Sequence, residues 1–149
     1  MKKKLLTIAC LAGILSVSIF SAKAEVSQKV LQSFHSVFTQ ATHVMWTENA
    51  DNYYVTFNQN DMSLKISYDK EGNLLNSVRY YKEQRLPLNI MYKVKKAYPS
   101  NKIDMVTEVS TPEGTVYFLQ LKDDKNWTIV KANESGELEV TDKFARLDK

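Results

Sequence analysis

Tyr53-Tyr54-Val55-Thr56-Phe57, the break Asn58-Gln59-Asn60-Asp61, then Leu64-Lys65-Ile66-Ser67-Tyr68 and the turn Asp69-Lys70-Glu71-Gly72 decide the fold of this chain. In each run large apolar residues alternate with polar ones, the period of a strand with one face buried. The polar breaks, one of them closed by glycine, are hairpin chemistry. Two such runs in succession read as an antiparallel meander. Ahead of them the period is helical: Val26, Val30, Phe34, Val37 and Phe38 form one stripe, with Ser27 as its N-cap.

The same order is written again further along. Ile90, Val94, Ala97 and Tyr98 make a second helical stripe, opened by Pro87 and stopped before Pro99. Val30, Phe34 and Phe38 superpose on Ile90, Val94 and Tyr98 at an offset of 60, and Met45–Glu48 superposes on Met105–Glu108. From Tyr53 onward the offset is 64: Tyr53, Val55 and Phe57 fall on Tyr117, Leu119 and Leu121, and Gly72 on Gly136. The four additional residues fall around Thr111-Pro112-Glu113-Gly114, a turn, where added length is tolerated. The expected fold is α+β, a tandem α-β4 repeat with one helix per repeat packed on one face of an antiparallel sheet. The expected helices are 26–39 and 87–98. The expected strands are 43–48, 52–58, 62–69 and 73–81, then 102–110, 115–122, 126–133 and 137–146. The repeats cover 26–81 and 87–146, and the connector Lys82–Pro87 is too short to be a flexible linker, so residues 25–149 are expected to form one domain.

Residues 1–24 read as an address. Lys2, Lys3 and Lys4 precede an apolar run from Leu5 to Phe20, and Ala22 and Ala24 supply the small residues of a cleavage site. The run has 16 residues, against the roughly 20 that span a bilayer, so a cleaved signal peptide is expected rather than an anchor. Cys10 lies too close to the lysines for a lipoprotein site. It is also the only cysteine, so the mature chain has no disulfide, thiol nucleophile or cysteine ligand. Of the chain's 20 basic residues four lie in this segment, which leaves 16 against 17 acids. A near-neutral remainder lacks the clustered basic charge of a nucleic-acid binder. A periplasmic or secreted bacterial protein is expected, with no membrane attachment after processing.

In combination the motifs are specific: the signal, Val44-Met45-Trp46, the Tyr53–Phe57 run, Tyr68–Leu74, Leu86-Pro87, Val94–Pro99, Thr111–Tyr117 and Asn133–Leu138. The organisation resembles the PepSY-like family of exported bacterial proteins, described as like the β-lactamase-inhibitory protein and common in the Bacteroides group. The resemblance spans about residues 28–142. It implies a tandem α-β4 fold whose sheet presents a concave face, and no established enzymatic activity or catalytic motif.

The residues themselves give no catalytic constellation, and an enzyme is not expected. His35 and His43 are the only histidines. His35 lies off the helical stripe, toward solvent, and His43, matched to Ile103, is expected to be partly buried. Asp69, Glu71 and Asn73 place oxygen side chains around a glycine turn, which is part of a calcium loop. Their alternative role is a solvated hairpin turn with Gly72 at positive φ. The aromatic candidates for partner contact are Trp46, Tyr54, Tyr80, Tyr81 and Trp127. Adjacent strand residues face opposite ways; Tyr53 is in phase with the core, so Tyr54 faces out, and the pair Tyr80/Tyr81 stays open. Two functions follow. One is a non-enzymatic, inhibitor-like binding module, a monomer gripping a protein or peptide with the open sheet face. The alternative is a calcium- or ligand-responsive envelope protein that uses its acidic turns.

Overall fold

The computed structural model describes residues 25–147; the signal segment with its cleavage site and Cys10 lies outside them. Helix α1 (Gln28–Val37) is followed by strands β1 (Thr42–Glu48), β2 (Asn52–Gln59), β3 (Met62–Asp69) and β4 (Leu74–Tyr81). After a 3-10 turn at Glu83–Arg85 come α2 (Leu88–Ala97), β5 (Lys102–Thr111), β6 (Gly114–Lys122), β7 (Asn126–Asn133) and β8 (Leu138–Ala145). The strands form one eight-stranded antiparallel sheet in sequence order. The central seam is the pairing of β4 with β5, Ser77 to Tyr81 opposite Ser110 to Val106. The two four-stranded halves are therefore joined by backbone hydrogen bonds.

Each helix has ten residues, too short to hold itself in water, so packing on the sheet sustains it. In α1 the Ser27 hydroxyl accepts from the Val30 amide, and Val30 and Phe34 are wholly buried. They pack with Val55, Phe57, Leu64, Ile66 and Tyr68. Ile90 and Val94 of α2 pack with Val106, Leu119, Leu121 and Val130, and Leu86 from the connector joins them. Met62 touches both clusters. Both helices thus cover one face of the sheet, the face that carries the in-phase apolar residues of β2, β3, β6 and β7.

The expected stripes need one correction. Val37 is 65% exposed and Ala97 is also exposed. Each is the last residue of its helix, and in α1 the C-cap residue takes the contact instead: the Phe38 ring packs at a tilt against Phe34 and Phe57, at centroid distances of 5.4 and 4.8 Å. His43 also departs from expectation. It is exposed, with φ of 54°, inside a bulge that shifts the β1–β2 register between Thr42 and Met45. A bulge rotates the side chain away from the alternation that aligned it with Ile103, and Ile103 is buried.

Candidate protein-binding face

Strand alternation puts a second set of side chains on the face that neither helix covers. Val78, Val109 and Val116 lie opposite one another across β4, β5 and β6. The neighbouring rung runs Tyr80, Thr107, Phe118 and Lys131, and the next is Met105, Gln120 and Ile129. Toward β8 follow Lys122, Trp127 and Phe144. Tyr80 is 41% exposed and Phe144 46%; the three valines, Met105, Phe118, Ile129 and Trp127 are half-exposed. The result is an apolar and aromatic band across the middle of the open face.

Of the sequence candidates, the structure places Tyr54, Tyr80 and Trp127 on this face. Tyr54 is half-buried, and its hydroxyl accepts from Asn49 Nδ2 at 3.1 Å. The Lys122 ammonium and the Arg146 guanidinium both lie near the Trp127 ring, 5.6 and 5.5 Å from its centroid. Trp46 belongs to the other side: its partner is Val55, and it packs edge-on to Phe34 at 5.3 Å. Tyr81 also leaves the set. It is 3% exposed, on the helix side. Its hydroxyl donates to Glu108 Oε2 at 2.5 Å, while Arg79 holds Glu108 Oε1. Burial first, and the Glu108 carboxylate second, push the Tyr81 phenol far above its ordinary range. The strand phase of Glu108 lies with the buried row, so the sheet needed a cation there, and Arg79 of the adjacent strand supplies it.

The residues that sequence reasoning missed are Val78, Met105, Val109, Val116, Phe118 and Ile129. The available signal was loss of alternation. Val116-Tyr117-Phe118-Leu119 is apolar in both phases, so both faces of β6 carry large apolar groups. A strand with only one covered face would read apolar and polar in turn.

In the acidic turn Asp69 is already engaged. The Asp69 carboxylate accepts from the Glu71 and Asn73 amides through Oδ1 and from Asn73 Nδ2 through Oδ2, and these bonds hold its pKa below the usual range, the Asn73 side chain contributing most. Gly72 has φ of 91°. Both Asp69 oxygens are thus tying the hairpin, and among the described residues no group of three His, Cys, Asp or Glu converges on a metal-sized site. His35 and His43 are both exposed, and His35 lies edge-on to Phe34. No helix among the described residues is long and apolar enough to cross a membrane.

No protein-family model matches the chain, and no curated protein does. Solved structures do. A BLIP-like protein from Bacteroides fragilis is similar at a TM-score of 0.61 and 15% identity, over 86% of this chain and 92% of that one. A DUF2874 family protein from Bacteroides ovatus is similar at 0.58 and 15%, over 82% and 89%. Another DUF2874 family protein, from Bacteroides uniformis, is similar at 0.57 and 14%, over 80% and 88%. At such identities the likeness is one of fold: an antiparallel sheet with two helices, shared over nearly the full length of each chain.

Proposed function

We propose that this chain is a non-enzymatic, inhibitor-like binding module of the bacterial periplasm that grips a protein or peptide with the open face of its sheet. The observation that carries the reading is the uncovered band of Val78, Val109, Val116, Tyr80 and Phe118. A monomer gains nothing by keeping large apolar groups in water, and contiguous exposed apolar surface marks interaction sites. Aromatic side chains give large contact area at small entropic cost. The likeness to a BLIP-like protein supports the architecture of this reading and leaves the partner open. Export rests on the basic n-region, apolar run and Ala22/Ala24 site of the first 24 residues.

Internal duplication belongs to the same proposal. Its support is the recurring order of one helix and four strands, bulges at the starts of both β1 and β5, and matching turns at Asp69 and Asn133. A photo-crosslinking side chain at position 80 or 118 tests the binding reading in living cells. Adducts to an envelope protein from these positions, and none from the exposed helix position Leu88, are the expected result. Adducts formed equally from position 88 would sink it.

A further inference from the structure

Charge on the open face is unevenly placed: Glu139 and Asp142 lie on the edge strand β8, opposite Lys131 and Ile129. Within β2 to β7, alternation and register place Lys65, Lys102, Lys122 and Lys131 there, and Asp104 beside them in the β5 bulge. Asp104 is already engaged: Lys122 bonds its Oδ1 and Lys82 lies 3.9 Å from its Oδ2. These lysines, Lys122 foremost, hold its carboxyl below the usual range. Lys131 pairs with the exposed Glu139 of the edge strand, at 3.8 Å. Lys65 is exposed and has no ion-pair partner among the described residues. It stands on the rung between Thr56 and Val78, one rung from both Tyr54 and Tyr80. The other acid of these strands in the same phase, Asp69, is bound within its own turn.

We propose that the open face takes an acidic loop of a folded partner protein, with aliphatic or aromatic side chains on the Val78–Val109–Val116 band and a carboxylate on Lys65. This deepens the binding reading above and rests on it. The valine row at the centre of the band suits apolar peptide side chains. A cation without a counter-charge at the border of an apolar patch favours an opposite charge and disfavours a like one, and so sets specificity more than raw affinity.

The test is selection of a random displayed peptide library on the immobilised mature chain, followed by titration of the enriched peptides. Enriched sequences should join Asp or Glu to apolar residues. Their affinity should fall about fivefold or more in Lys65→Glu, and should weaken with added salt. Lys65 is exposed, so this variant should fold, which circular dichroism checks. Neutral or basic winners, or acidic winners indifferent to Lys65→Glu, overturn the acidic-loop proposal. They leave the open-face reading standing if Tyr80→Asp, or Phe118→Ser should that variant not fold, abolishes binding. Peptides indifferent to both substitutions, or a library that yields none, overturn both.

Discussion

Glu48 and Glu108 occupy matching places in β1 and β5: each follows an open-face Met, a helix-side apolar residue and a Thr, and each lies opposite a tyrosine, Tyr53 or Tyr117. Their fates differ. Glu48 is exposed and meets Lys70 at 3.2 Å, a surface pair. Glu108 is 5% exposed, held by Arg79 and the Tyr81 hydroxyl. The cause is position in the sheet. β1 is an edge and β5 is interior, flanked by β4 and β6. The same contrast separates β4, whose Tyr81 is buried, from β8, whose Val140 and Phe144 are exposed. One local pattern thus makes a guarded rim in one half and a buried polar seam in the other. The rims are guarded by different means, a bulge at His43 in β1 and the charges Glu139, Asp142 and Lys143 in β8.

The largest expected effect asks whether the halves are separable at all. Phe34→Ala empties a wholly buried site ringed by Phe38, Trp46 and Phe57, and should cost about 4 kcal/mol. Because β4 pairs with β5, urea unfolding should remain a single transition shifted for both halves. Two steps, with only the first moved, would make the halves independent units.

Glu108→Ala against Glu48→Ala sharpens the contrast itself. The first leaves Arg79 and the Tyr81 hydroxyl without their shared acceptor and should cost about 3 kcal/mol, at the lower end for a broken buried pair because Arg79 keeps contact with water. The second should cost about 0.5 kcal/mol or less. Equal losses by denaturant titration would dissolve the distinction between rim and seam.

Gly72 and Gly136 close matching turns at φ of 91° and 77°. An added methyl at Gly72 would stand 3.2 Å from the Lys29 carbonyl oxygen, part of the α1 backbone, whereas at Gly136 it would meet the Lys93 side-chain stem at 2.6 Å. A lysine stem can swing aside and a helix carbonyl cannot. Gly72→Ala should therefore cost about 2 kcal/mol and Gly136→Ala about 1 kcal/mol, with thermal melting as the measure. The reverse order would mean that Lys93 is the more rigid neighbour.

The smallest effect is a pH slope. Tyr81 in the fold holds its proton well above the ordinary tyrosine value of about 10. A raised folded-state pKa gives stability that is complete below pH ~10 and is lost as the pH rises above it, since only the unfolded chain then releases the proton. Tyr81→Phe should flatten the decline between pH 9 and 11. Tyr68 and Tyr117, raised mainly by burial, should preserve part of it. An unchanged slope would show that Tyr81 does not couple the seam to pH.

Much of this architecture was legible before any coordinates. The helical period places α1 and α2, and the boundaries 62–69 and 126–133 agree with β3 and β7 to the residue. Tyr53 against Tyr54 was legible because Val55 and Phe57 set the phase. Tyr80 against Tyr81 was not, because β4 carries Val78 and Tyr80 in one phase and Tyr81 in the other, so neither phase is plainly polar.

Helices, hairpin turns and strand phase are local, governed by hydrophobic spacing, caps and glycine conformation within a few residues, and the sequence alone determines them here. Which strand becomes an edge, which acid finds an arginine, and which apolar row stays uncovered depend on neighbours far away in the chain. The pairing of β4 with β5 decides all three. It buries Tyr81 and Glu108, aligns Val78 with Val109 and Val116, and leaves Lys65 beside them. Backbone hydrogen bonding across the seam sets that register, and no single strand encodes it.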